Sequence, residues 1–166
     1  MSPILFLLYI VELYKICNRP WEGVLGIGFI DDINLLAYLE STKENCKKLE
    51  RVHRKLLQWA QKHGMKFAPR KYELIHFTRS KRFNLRVGIQ IGGIEKAPIA
   101  EVRVLGIWVD PKLRWSAHWS KVQEKSSKQI GALVRTTAST WGASFLRARQ
   151  VYSAIVRPAI AYGAAV

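Results

Sequence analysis

The chain has 166 residues, 49% of them apolar and 11% aromatic, with six tryptophans. That is enough for one domain with a core, or a small domain plus an appended subdomain, and too apolar for a disordered basic tail. Its 27 Lys and Arg against 12 Asp and Glu give a formal charge of +15, which in a folded chain points to a polyanionic partner, nucleic acid first.

Ser2 and Pro3 predict an N-cap and first helical position for a helix over 3–16, PILFLLYIVELYKI, apolar nearly all round and in need of cover on most sides. The run ILFLLYIV (4–11) is too short to span a bilayer, is broken by Glu12 and Lys15, and lacks the basic stretch of a signal peptide, so no membrane partner is expected. Cys17 and Cys46 form no CxxC pair, which excludes a disulfide framework or zinc ribbon and fits a reducing intracellular compartment, nuclear or cytoplasmic. His53, His63, His76 and His118 lack HExxH spacing and read as surface or packing residues.

After the turn around Asn18-Arg19-Pro20, VLGIGFI and INLLAYL flank Asp31 and Asp32 as the arms of a hairpin, apolar on both faces like a central, covered sheet. Asp-Asp is a poor turn, being sterically unfavourable and self-repelling. A hard divalent cation such as Mg2+ would cancel the repulsion, which makes the pair a candidate metal holder. Ser41-Thr42-Lys43-Glu44 is a capping box opening a helix to about His63, stopped by Gly64. Cys46, Leu49, Val52, Leu56, Trp59 and Ala60 fall on one face of it, with Lys47, Lys48, Arg51, Arg54, Lys55 and Lys62 largely on the other. YELIHF (72–77), LRVGIQIG (85–92) and VRVLGIWV (102–109) read as strands, the last two joined through Gly92-Gly93.

From Ser116 the pattern is helical. Trp115, Trp119, Val122, Ile130 and Leu133 form an apolar stripe, and Lys121, Lys125, Lys128 and Arg135 a neighbouring basic face, the candidate nucleic-acid contact; a further helix is expected over roughly 144–156, ending at Pro158. Residues 1–40 hold two basic residues against five acidic ones, whereas from Pro111 onward nine basic residues face one acid, Glu124. Such a separation suits an acidic metal site beside a basic phosphate-binding half. The fold class is therefore α+β over 1–110, followed by an all-helical basic region over 111–166.

SPILFLLYI, GFIDDINLLA, WAQKHGMKFAPRKYELIHFTR, VRVLGIWVDPKLRW and STWGASFLRARQVYSAIVRPAIAYGAAV, in that order, resemble the successive blocks of reverse transcriptases from LINE-type, non-LTR retrotransposons, especially fungal ones. An isolated Asp-Asp is a weak signal, but five ordered blocks covering essentially the whole chain are a strong one. The resemblance implies a partial polymerase palm, an antiparallel sheet with helices packed on it, over 1–110, and a helical thumb over 111–166. It implies template-directed nucleotidyl transfer with two divalent ions, Mg2+ or Mn2+, roughly 3.5 to 4 Å apart, and as partners an RNA template, a DNA primer and deoxynucleoside triphosphates. Asp31 becomes a metal ligand, Asp32 a second ligand or a residue tuning the site, and Phe29 the aromatic packed under the hairpin. Lys71 becomes the candidate acid for the pyrophosphate leaving group, with a plain surface lysine as the competing view. Leu105, Gly106 and Ile107, within VLGIW, would position the primer end, and the same stretch also reads as a core strand. Asp110 sits at the loop end of that block and replaces no catalytic residue.

The resemblance also places the fingers and the strand bearing the first catalytic Asp upstream of Met1. The expectation is then a catalytically incomplete chain, with the upstream half as a further partner and Mg2+ bound only in the complete enzyme. The alternative is a non-catalytic basic remnant that binds nucleic-acid backbone without sequence preference.

Overall fold

In a computed structural model the structure describes residues 3–80, 82–137 and 141–163; the expected N-cap, Ser2, lies outside them. The chain is α+β and forms two compact units, Met1–Val102 and Arg103–Val166.

The first unit opens with two short helices, α1 (Pro3–Tyr9) and α2 (Val11–Cys17), where one continuous helix over 3–16 was expected. The break at Ile10 redirects the chain so that Ile10, Leu13 and Cys17 enter the core while Ile4, Leu5 and Leu8 stay exposed. Strands β1 (Val24–Phe29) and β2 (Asp32–Ala37) pair antiparallel in the register Val24↔Ala37 to Phe29↔Asp32. Alternation sends Val24, Gly26, Gly28, Ile33 and Leu35 to one face. Val24, Ile33 and Leu35 join a core with Ile10, Leu13, Cys17, Val52, Leu56, Trp59 and Ala60.

Gly26 and Gly28 let α2 approach closely: a Cβ on Gly26 would lie 2.4 Å from Cys17 Cβ, and one on Gly28 would meet the Tyr14 ring. The other face carries Ile27 and Phe29, both exposed. The hairpin is thus covered on one side rather than two, and it pairs with no further strand among the described residues. Phe29, expected beneath the hairpin, lies on the open face because it pairs with Asp32 rather than with an inward-facing residue.

Helix α3 (Thr42–Lys62) begins and ends as its sequence dictates. Ser41 Oγ accepts the Glu44 amide at 3.2 Å, and Gly64 leaves the helix at φ +66°. Its apolar face is buried, and there His53 contacts the Tyr72 hydroxyl at 2.9 Å; burial holds this imidazole below the usual histidine range. His63 stacks on Trp59 with centroids 4.2 Å apart, and Trp59 Nε1 donates to Glu12 at 3.2 Å. Cys46 and Leu74 pack with Ile89 in a smaller cluster. All four histidines contact backbone, hydroxyl or aromatic partners, as packing residues do.

Residues 72–77 form no strand; the Ile99 amide donates to the Leu74 carbonyl at 2.8 Å, the Tyr72 amide to the Pro69 carbonyl at 3.2 Å, and the His76 ring contacts the Val87 carbonyl at 2.7 Å. Gly92 and Gly93, both at positive φ, turn β3 (Ile89–Ile91) back onto β4 (Ile94–Lys96) instead of leading to 102–109. Each arm is three residues long, so the expected strand over 85–92 is mostly loop.

Glu22 accepts Arg19 at 2.9 Å and Lys48 of α3 at 2.6 Å, tying the entry to β1 onto the helix. Those hydrogen bonds, Lys48 first, hold its carboxyl down to about 2. A depressed folded pKa means that this stabilisation is present above the ordinary Glu range and is lost as the carboxylate protonates toward pH 2. Wild type and Glu22→Gln should therefore differ in thermal midpoint at neutral pH and converge as pH falls from 4.5 to about 2, followed by circular dichroism. A constant gap across that range would show that the pair contributes nothing.

The expected strand over 102–109 is a hairpin, β5 (Val102–Val104) and β6 (Ile107–Val109), turning on Leu105 and Gly106 at φ +48° and +88°. The division between the units falls within this hairpin's first strand rather than at residue 110. Asp110 accepts the amides of Lys112, Arg114 and Trp115, shaping the loop into α4 (Ser116–Thr136). Burial pushes the Asp110 carboxyl up, but these backbone donors outweigh it and hold it below its ordinary value.

The buried side of α4 carries Val122 and Ser126, whereas Trp119 and Ile130 of the expected apolar stripe are exposed. The last helical segment is longer than expected and continues past Pro158, through α5 (Phe145–Val151), a π turn (Tyr152–Val156) and α6 (Arg157–Ala161). The wider turn lies where the Pro158 ring would otherwise strike a carbonyl four residues back. Tyr162 then donates to the Leu105 carbonyl at 2.5 Å, and His118 bridges the Trp108 amide and the Tyr162 carbonyl.

Candidate catalytic hairpin and nucleic-acid interface

The Asp pair stands at the tip of β1–β2, one residue out of the expected register. The two-residue turn is Ile30-Asp31, and Asp32 is already the first residue of β2, opposite Phe29. Ile30 has φ +54°, at the first turn position, where a type II′ turn takes Gly. A β-branched residue held there is strained by on the order of 1–3 kcal/mol. Asp31, on the turn, and Asp32, at the start of β2, are both exposed.

Among the described residues no three His, Cys, Asp or Glu side chains cluster as a metal site would require. Asp31 and Asp32 offer two carboxylates, and Mg2+ held by one or two carboxylates completes its six-oxygen shell with water and phosphate oxygens. Lys71 is exposed in the 3-10 turn Pro69–Lys71 and forms no ion pair with either Asp, since the ion pairs among the described residues are Arg19–Glu22, Lys48–Glu22, His63–Glu12 and Lys128–Glu124. Asp31 and Asp32 are thus neighbours at the hairpin tip, and Lys71 makes no ion pair with either.

Leu105, Gly106 and Ile107 form the tip of the β5–β6 hairpin, and Tyr162 braces it: a Cβ on Gly106 would sit 3.1 Å from the Tyr162 ring. The Tyr162 brace was not foreseen, and the sequence placed Asp110 at a loop end without showing that its carboxylate caps the amides of that loop. The only cue in the sequence was Asp followed by Pro, Lys and Leu ahead of a helix, a loop-former without a marked partner.

Lys121, Lys125, Lys128 and Arg135 are all exposed on α4. Two of them have partners: Lys128 binds Glu124 at 2.7 Å, and Lys121 lies 5.6 Å from the centroid of the Trp108 ring. The Lys128 hydrogen bond, aided by the charges of Lys128 and Lys121, holds the Glu124 carboxyl below its ordinary range. Lys125 and Arg135 make no ion pair among the described residues.

No protein-family model matches this chain, and no curated protein or solved structure matches it either.

Proposed function

We propose that this chain is the palm-and-thumb portion of a LINE-type reverse transcriptase, able to hold nucleic acid but not to polymerise by itself. The observation that carries this reading is the hairpin β1–β2: two adjacent exposed carboxylates at the end of a strained turn, with an apolar outer face and strand edges that pair with no further strand among the described residues. Strain at a solvent-exposed tip fits a turn kept for what it presents rather than for stability. Open edges and exposed Ile27 and Phe29 fit a hairpin whose sheet is completed by a further strand. The five ordered blocks of the sequence agree with this.

Asp31 and Asp32 would supply part of the carboxylate set of a two-metal site, and no catalytic step is assigned to the chain alone. The RNA template, DNA primer and nucleotides of the complete enzyme, and Lys71 as the leaving-group acid, belong to the same proposal. Template-directed incorporation with Mg2+ tests it. The chain alone should be inert, and adding a polypeptide with the family's fingers and Asp-bearing strand should give synthesis. Robust synthesis by the chain alone would overturn the reading.

The second reading, a backbone-binding remnant, is favoured by the exposed basic face of α4. Replacing Lys121, Lys125, Lys128 and Arg135 by Ala should lower the slope of log affinity against log salt by about 2 to 3, less than four free cations would give, because Lys121 and Lys128 are partly engaged. An unchanged slope, measured by fluorescence anisotropy, would remove α4 from the interface.

A further inference from the structure

Helix α3 carries a charge array that neither the hairpin chemistry nor the α4 face uses. Lys43, Lys47, Arg51 and Lys55 follow one another at intervals of four, all exposed, with exposed Arg54 and Lys62 beside them. Buried Cys46, Val52, His53, Leu56, Trp59 and Ala60 fix the opposite face against the core, so the array faces solvent along about 28 Å at 1.5 Å per residue.

Glu44 and Glu50 lie in the same helix but, among the described residues, pair with none of the stripe cations. Among the described residues the one α3 cation in an ion pair is Lys48, with Glu22. Like charges four apart destabilise a helix, so three such steps in succession work against α3 unless an anion is bound. We propose that this stripe is a second attachment surface for the phosphodiester backbone of nucleic acid, on a different unit from the α4 face.

Three observations favour that partner. Cations recur about every 6 Å along the helix, whereas each strand of a duplex presents a phosphate about every 3.4 Å of axis, so one cation serves about two phosphates. Arg51 supplies the planar fork that grips phosphate oxygens two at a time. Gln58 and Gln61 stand between Lys55 and Lys62, and Leu57 is the one large apolar residue exposed on α3, where a membrane-surface helix inserts a whole face of Trp, Phe or Leu. The contact reads backbone and no base sequence.

The test uses the full chain and two labelled probes of arbitrary sequence, a DNA duplex and a single-stranded RNA, titrated across salt by fluorescence anisotropy. The combined variant Lys43→Gln, Lys47→Gln, Arg51→Gln, Lys55→Gln should lose at least about tenfold in affinity at low salt, and its salt slope should fall by about 3 to 4. A control with the same charge change at exposed Arg79, Arg82, Arg86 and Lys112, all to Gln, should lose less than about threefold. The α3 variant should keep or raise its thermal midpoint, because like-charge neighbours are removed. Equal losses in variant and control would reduce the effect to net charge and overturn the proposal. So would wild-type affinity in the α3 variant, a lowered midpoint, or loss of binding to phosphatidylserine vesicles with nucleic-acid binding retained. The proposal does not depend on the polymerase reading: an inert α4 variant or a failed complementation leaves the α3 result to stand or fall by itself.

Discussion

In a mixture of this chain with the polypeptide that completes the palm, Asp31→Asn is expected to lower template-directed incorporation at least about a hundredfold. Removing an outer-sphere partner of a catalytic metal ligand typically costs 10–100-fold, so removing a direct carboxylate should cost the upper end of that range or more. The amide keeps the shape of the turn and deletes its charge, so folding should be unaffected; Asp31 is exposed and forms no ion pair among the described residues. Asp32→Asn should cost less if Asp32 only tunes the site, and as much if it is a second ligand. Complementation that survives both substitutions would show that the hairpin tip does not take part in the chemistry.

The second large effect is one of stability. Gly26→Ala should lower the thermal midpoint of the first unit, because the new Cβ would lie 2.4 Å from Cys17 Cβ and 3.2 Å from its carbonyl carbon. Those atoms belong to α2 and cannot rotate aside, as the far end of Tyr14 could for Gly28→Ala. Two terms compete: Ala in a strand interior gains about 0.5–1 kcal/mol over Gly, and overpacking a fixed contact costs about 1–3 kcal/mol. The clash wins, leaving a net loss of about 1–2 kcal/mol, or roughly 3–8 °C in a chain of this size. Gly131→Ala is the matched opposite. It lies in the interior of α4 with nothing within 4 Å of its Cβ and should gain about 0.5–1 kcal/mol. A stabilised Gly26→Ala would mean that α2 yields more readily than its buried Cys17 suggests.

How much of this was legible in the sequence depended on whether the signal was local. Helix α3 was readable end to end, because a capping box, a one-sided apolar face and a terminal Gly act within the segment itself. The Gly92-Gly93 turn was visible, but not which strands it joined, since a turn fixes only its immediate neighbours. YELIHF has strand composition and finds no ladder, because a strand needs a partner and composition does not supply one. The break at Ile10 was hidden for a related reason: a segment apolar all round does not say which side goes in. At the candidate site the two carboxylates were plain, whereas the strain at Ile30 depends on a register that one residue of slip changes. The bracing of the 105–107 tip by Tyr162 rests on a contact between residues 57 apart in sequence, beyond the reach of any local pattern.

The π turn at Tyr152–Val156 has a consequence for the aim of that brace. A helix advances by about 100° per residue, and a π turn holds one residue more than an α turn, so it sets the angular phase of everything after it. Tyr162 reaches the Leu105 carbonyl only with that phase included. Closing the turn to a regular α turn with every residue kept would swing the last tyrosine about a quarter-turn away, and the 105–107 tip would lose its strut while every residue that forms it stayed in place; deleting one residue from the turn would instead restore the phase.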